Sequence, residues 1–171
     1  MDIIKPKRLW PLSNDIRSKR FIKIFKNDAG ELESMVQRVY RQILETDKSA
    51  NVTIATSKKQ ASAIQNQLRG GIGISVEPFR RDTFPAILLA ALFLKDVKGV
   101  SIDETVVICP VDPFVQNEYF KCLEEMSNEL KKGNANIVLM GIKPTYPSEK
   151  YGYIIPSDGN KISQVVEFKE K

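Results

Sequence analysis

Short β-rich runs alternate with longer helical patterns from residue 2 to residue 141, and this alternation constrains the fold more than any other feature. Asp2 to Ile4, Val52 to Thr56, Gly73 to Val76, Thr105 to Cys109 and Asn136 to Gly141 read as strands. The last two are continuous apolar runs, the pattern of strands buried on both faces of a parallel sheet. Leu32, Met35, Val36, Val39, Tyr40 and Ile43 recur at three and four, which predicts an amphipathic helix over residues 31–45. Ser57-Lys58-Lys59-Gln60 reads as a capping box opening a helix that ends near Arg69-Gly70-Gly71. Thr83 to Leu94 is apolar on every side, so it is expected to be a helix buried over most of its surface. Phe120, Leu123 and Leu130 mark a further helix closed by Gly133.

Parallel strands need crossover segments, usually helices, so the pattern predicts an α/β fold. The expected architecture is a Rossmann-like, mostly parallel sheet with helices on both faces. From Tyr151 the pattern changes. Tyr151 to Ile155, a Ser-Asp-Gly-Asn turn and Lys161 to Phe168 predict a C-terminal antiparallel hairpin. Ligands of parallel sheets sit beyond the carboxyl ends of the strands, so chemistry is expected in the residues that follow each strand.

The 171 residues are enough for one domain with a real core. Histidine is absent, which excludes Ser-His-Asp and Cys-His nucleophilic mechanisms and histidine-ligated zinc. Chemistry must rest on carboxylates, lysines, arginines and a hard, oxygen-liganded metal such as magnesium. Cys109 and Cys122 have no metal-ligand spacing and are too few for a disulfide scaffold. The longest apolar run, Phe84 to Leu94, is too short to span a bilayer, and the N-terminus has no apolar signal segment. A cytoplasmic protein with no membrane association is expected.

The formal net charge is +5, and residues 1–26 hold eight basic residues against two acidic ones. Such a patch attracts polyanions. It reads as a solvated face, as a site for a phosphate-bearing small substrate, or as a nucleic-acid surface. The last fits least, because Trp10 is the sole aromatic interleaved with the basic residues ahead of Phe21.

Four strand ends carry candidate residues. Arg8 follows the first strand. Glu77-Pro-Phe-Arg-Arg-Asp-Thr83 leads from a strand into the apolar helix, with Arg81 near a helix start that favours anions. Asp112 follows an apolar strand between two prolines, where a carboxylate suits magnesium or simply a turn. Tyr151-Gly152-Tyr153 either lets a ligand approach the backbone or forms a strand with aromatic faces.

Taken in order, these fragments resemble a known family. Arg-Leu-Trp-Pro-Leu-Ser (8–13), Ser-Lys-Arg-Phe (18–21), Glu-Pro-Phe-Arg-Arg-Asp-Thr-Phe-Pro-Ala (77–86), Pro-Val-Asp (110–112), Gly-Ile-Lys-Pro-Thr-Tyr-Pro (141–147), Tyr-Gly-Tyr-Ile (151–154) and Phe-Lys-Glu-Lys (168–171) are similar to mannose-1-phosphate guanylyltransferases, within the sugar nucleotidyltransferase superfamily. The resemblance covers essentially the whole chain. It implies a single nucleotidyltransferase-like domain over residues 1–171, incomplete at its C-terminus.

The implied reaction joins GTP and mannose 1-phosphate into GDP-mannose and pyrophosphate. By position, the resemblance implies that Asp112 holds a magnesium ion and that Arg8 and Lys19 face the triphosphate. Glu77, Arg81 and Asp82 are placed near the base, Gly152 and Glu170 near sugar hydroxyls, and Lys171 near the sugar phosphate. Small-molecule substrates, a homo-oligomer and no nucleic-acid partner are expected. The family carries a loop of the form Gly-Gly-x-Gly-Thr/Lys-Arg before Leu-Trp-Pro-Leu-Ser. Here Lys5-Pro6 stands in its place, and Pro6 has no N–H with which to imitate a glycine nest. Arg20 replaces the Gln common after the family's lysine, and Arg80 replaces a Gly. The alternative is a non-catalytic nucleotide- or polyanion-binding domain.

Overall fold

The computed structural model describes residues 18–79 and 81–170. The expected strand Asp2–Ile4 and Trp10 lie outside them. The described chain begins with a single 3₁₀ turn, Lys19–Phe21, followed by a small antiparallel ribbon of β1 (Phe25–Lys26) and β2 (Leu32–Glu33). Next come α1 (Met35–Thr46), β3 (Thr53–Ser57), α2 (Lys58–Leu68), β4 (Gly73–Glu77) and α3 (Thr83–Leu92). A π-helical turn, Phe93–Val97, extends α3. The chain ends in α4 (Asn117–Lys131) and the hairpin of β5 (Tyr153–Pro156) and β6 (Val165–Lys169).

The fold is α/β. β3 and β4 pair in parallel from Thr53 opposite Gly73 to Ser57 opposite Glu77, with α2 as their crossover. α2 and α3 both pack on this pair. The close approach of the strands at Gly73 needs a glycine, because a Cβ there would collide with the Thr53 side chain. The hairpin forms as expected, with a bulge at Ile155/Pro156.

Three local expectations are not met among the described residues. Thr105–Cys109 and Asn136–Gly141 run without ladder pairing among the described residues. Cys109 and Met140 still pack against the core of Val39, Phe120 and Leu123 between α1 and α4, whereas Val107, Ile108 and Ile137 are exposed. An apolar run becomes a strand only where a backbone partner takes up its N–H and C=O groups.

The second concerns α3. Its residues include none that is buried, and Phe84 is 73% exposed. A helix apolar on every side needs neighbours on every side, and among the described elements its packing comes from β3, β4 and its own π-helical extension.

The third concerns capping. Ser57 begins α2 without a side-chain cap, and Gln60 instead accepts from the Thr56 hydroxyl at 3.2 Å. The capping box forms at α1. Ser34 accepts from the Gln37 amide at 3.3 Å, and the Gln37 side chain accepts from the Ser34 amide at 3.1 Å.

Candidate functional site

Asp112 lies in the Pro110–Pro113 turn, directly after the core-packed Cys109. The next residues are pinned to α1 by side chains that sequence reasoning missed. Arg38 stacks its guanidinium 4.4 Å over the Phe114 ring and donates to the Val115 carbonyl at 3.2 Å. Gln42 donates to the same carbonyl at 3.2 Å and to Asn117 Oδ1 at 2.8 Å. The signal was present in the sequence: Gln42 interrupts the apolar stripe of α1, and it is only 2% exposed. α1 thus fixes the loop that carries Asp112.

The 3₁₀ turn brings Lys19 and Arg20 to the same carboxylate. Arg20 Nε donates to Asp112 Oδ1 at 2.9 Å and its Nη2 to Oδ2 at 2.7 Å, a two-pronged contact. Lys19 Nζ stands 3.7 Å from Oδ1. The turn itself is held where Gln67, in the last turn of α2, donates to the Phe21 carbonyl at 2.9 Å. The Arg20 hydrogen bonds, with Lys19 adding, hold the Asp112 carboxyl below its ordinary range, and the same bonds raise Arg20.

Two of the expected catalytic residues, Lys19 and Asp112, therefore meet. Arg20, read from sequence only as a departure from the family pattern, is the closer partner of Asp112. Arg8, Arg80 and Lys171 lie outside the described residues.

Glu77, Arg81 and Asp82 share the loop from the carboxyl end of β4 into α3. Asp82 precedes α3 with φ +69° and makes no side-chain cap, so its carboxylate is not spent on the helix start. Among the described residues no hydrogen bond or ion pair joins this loop to the Asp112 cluster. Gly152 and Glu170 are brought together by the β5–β6 register: a Cβ at Gly152 would stand 3.3 Å from Glu170 Oε2.

A polar cleft of about 440 Å³ opens between the β1–β2 ribbon and the ends of α1 and α2. None of the expected site residues lines it, and its Gln37 and Gln67 side chains already hydrogen-bond protein groups.

Among the described residues no group of three or more acidic or cysteine side chains could enclose a metal. Asp112 alone offers one carboxylate. Magnesium needs only one or two protein carboxylates, because it retains waters, but both Asp112 oxygens are here engaged by Arg20.

The nucleotidyl transferase family profile matches residues 5–171, and the chain belongs to that family. It is 31% identical to a mannose-1-phosphate guanylyltransferase of Escherichia coli over 174 residues, covering 96% of this chain and 36% of the relative. It is 29% identical to the alginate biosynthesis protein AlgA of Pseudomonas aeruginosa, covering 96% of this chain and 34% of that protein. A crystal structure described as a mannose-1-phosphate geranyltransferase from Thermus thermophilus superposes with a TM-score of 0.72 at 26% identity. That match covers 96% of this chain and 47% of the other. The chain thus spans about a third of the length of the curated relatives it matches.

Proposed function

We propose that this chain carries the nucleotide site of a sugar-1-phosphate nucleotidyltransferase that forms GDP-mannose and pyrophosphate from GTP and mannose 1-phosphate. The observation that carries the reading is the meeting of Lys19, Arg20 and Asp112 from chain segments 92 residues apart. Two cations and one carboxylate at the end of an apolar run form a site for a polyphosphate.

In the proposed reaction an oxygen of the sugar phosphate attacks the α-phosphorus of GTP. A new O–Pα bond forms, the Pα–O bond to the β-phosphate breaks, and pyrophosphate leaves with the electron pair. No proton transfer by histidine is required. The obstacle is negative charge, and fixed cations oppose it. Lys19 and Arg20 face the triphosphate in this reading, Glu77, Arg81 and Asp82 face the base, and Gly152 with Glu170 face the sugar hydroxyls. A magnesium ion at Asp112 would supply further neutralisation of the phosphates. Small-molecule substrates, rather than nucleic acid, follow from this chemistry, and a cytoplasmic location and homo-oligomeric state complete the proposal. No helix among the described residues is long and apolar enough to cross a membrane.

One observation favours a second reading, a non-catalytic nucleotide-binding domain. Ile4-Lys5-Pro6-Lys7 contains no glycine where the resemblance calls for a phosphate-cradling loop. Losing one preorganised oxyanion donor costs roughly 3 kcal/mol, or at least about a hundredfold in rate.

The experiment is pyrophosphate release from GTP and mannose 1-phosphate. It compares this chain, a chain carried on to the length of its relatives, and the longer chain with Gly-Gly-Ser-Gly placed before Lys7. The transferase reading expects turnover from the third protein, lost again with Lys19→Ala. No turnover from any of them, with GTP binding retained, establishes the second reading instead.

A further inference from the structure

A chain of hydrogen bonds runs from the start of α1 to the turn that carries Lys19 and Arg20, and Gln67 is its middle member. The Ser34 hydroxyl donates to Gln67 Oε1 at 2.6 Å, and Gln67 Nε2 donates to the Phe21 carbonyl at 2.9 Å. The Gln67 backbone carbonyl accepts from Gln37 Nε2 at 3.1 Å. Ser34 is fully buried, and its side-chain oxygen already accepts from the Gln37 amide, so its one proton goes to Gln67. That fixes the Gln67 amide: its oxygen faces the hydroxyl, and its NH₂ faces a carbonyl that can only accept. The turn's own backbone bonds are internal, from Phe21 N to the Ser18 carbonyl and from Ile22 N to the Lys19 carbonyl. Among the described residues, Gln67 supplies the hydrogen bond that joins the turn to a helix. Ile22, 5% exposed, anchors the chain just beyond it, but apolar burial has no direction and leaves the rotation of a three-residue turn open.

We propose that Gln67 is a positioning residue: by holding the Phe21 carbonyl it sets where Lys19 and Arg20 stand, and so how they meet Asp112 and a triphosphate. The part that concerns the triphosphate rests on the nucleotide-site reading. Lys19 and Arg20 are the two residues before Phe21 in one 3₁₀ turn, so a turn that rotates about Ile22 carries both cations with it. Their target is a carboxylate 92 residues further along the chain, reached at 2.9 Å by Arg20 and at 3.7 Å by Lys19, and such a meeting is lost by a small rotation. Two substitutions break the tie without touching the cluster. Gln67→Glu keeps the size and still accepts from Ser34, but sets an oxygen against the Phe21 carbonyl oxygen. Gln67→Met keeps the length and gives up both side-chain bonds.

The test reads the Arg20 Nε–H resonance by ¹H–¹⁵N NMR in the nucleotide-free protein. Arg20→Lys identifies the signal, and Asp112→Asn gives the signal of an unpaired guanidinium. Gln67→Glu and Gln67→Met should each move the resonance toward its Asp112→Asn position and speed its exchange with water. Gly73→Ala, which strains the β3–β4 pair instead of the turn, controls for loss of stability alone and should leave the resonance at its parental place. GTP is titrated into the same proteins in magnesium and in EDTA. Both Gln67 variants should bind it roughly tenfold more weakly than the parent, the scale of one weakened charge-assisted hydrogen bond, and Gly73→Ala should bind it equally well. A parental Arg20 signal in both Gln67 variants, or the same movement in Gly73→Ala, overturns the positioning role. A moved signal with parental GTP affinity overturns the part Gln67 plays at the nucleotide site. Absence of GTP binding by the parent in both buffers overturns the nucleotide-site reading, while the Arg20 signal still decides whether Gln67 sets the turn.

Discussion

The Glu33 carboxylate and the Arg41 guanidinium meet fork to fork, with Arg41 Nη2 donating to Oε1 at 2.8 Å and Nε to Oε2 at 3.1 Å. Glu33 is 6% exposed, at the end of β2, and the pair ties the β1–β2 ribbon to α1. The bonds to Glu33 and Glu45 raise the Arg41 pKa well above its usual value.

Glu33→Ala should destabilise the protein by about 2–3 kcal/mol. Breaking a fully buried pair costs about 3–5 kcal/mol, and Arg41 here keeps Glu45 and partial hydration, so the lower figure applies. Urea denaturation midpoints of the variant and the parent check this. A change below about 0.5 kcal/mol, typical of surface substitutions, would remove the pair from the account of stability.

Gly73→Ala should cost about 1–3 kcal/mol through overpacking against Thr53 in the paired strand. The double variant Gly73→Ala/Thr53→Ala should recover part of the loss. Additive costs in the double-mutant cycle would show that the two positions do not touch.

Tyr119 provides a pH signature. Burial, together with the neighbouring Cys109 thiol, pushes its phenol from 10.0 up to about 12. The folded state thus favours the protonated phenol. Its contribution is complete below pH 10 and is lost as pH rises through about 12, because the unfolded chain releases the proton first. The stability difference between the parent and Tyr119→Phe should therefore shift against the parent between pH 10 and pH 12. A difference that stays constant across this window contradicts the assignment.

Much of this architecture was legible in the residues. The spacing of Val36, Val39 and Ile43 marked α1, and the Ser-Asp-Gly-Asn turn marked the hairpin. The order of Lys19, Pro110-Val-Asp112 and Tyr151-Gly152-Tyr153 pointed to the family. What was not legible depended on partners distant in the chain. Whether Thr105–Cys109 becomes a strand is decided by a backbone partner, and whether α3 is buried is decided by what surrounds it. The tie between Arg20 and Asp112 depends on where a 3₁₀ turn docks. Local sequence encodes none of these, whereas Gln42 could have been singled out as the polar residue within an apolar stripe.

The central claim is that the Lys19–Arg20–Asp112 cluster receives a nucleoside triphosphate, and calorimetric titration of GTP tests it most directly. The parent, Lys19→Ala and Asp112→Ala are compared in magnesium and in EDTA, with circular dichroism showing that the fold is retained. A charge-assisted hydrogen bond is worth about 1.5–3 kcal/mol, so Lys19→Ala should weaken GTP binding roughly tenfold to a hundredfold. Asp112→Ala should abolish the difference between magnesium and EDTA. Unchanged GTP affinity in Lys19→Ala, together with an unchanged magnesium effect in Asp112→Ala, would contradict the account.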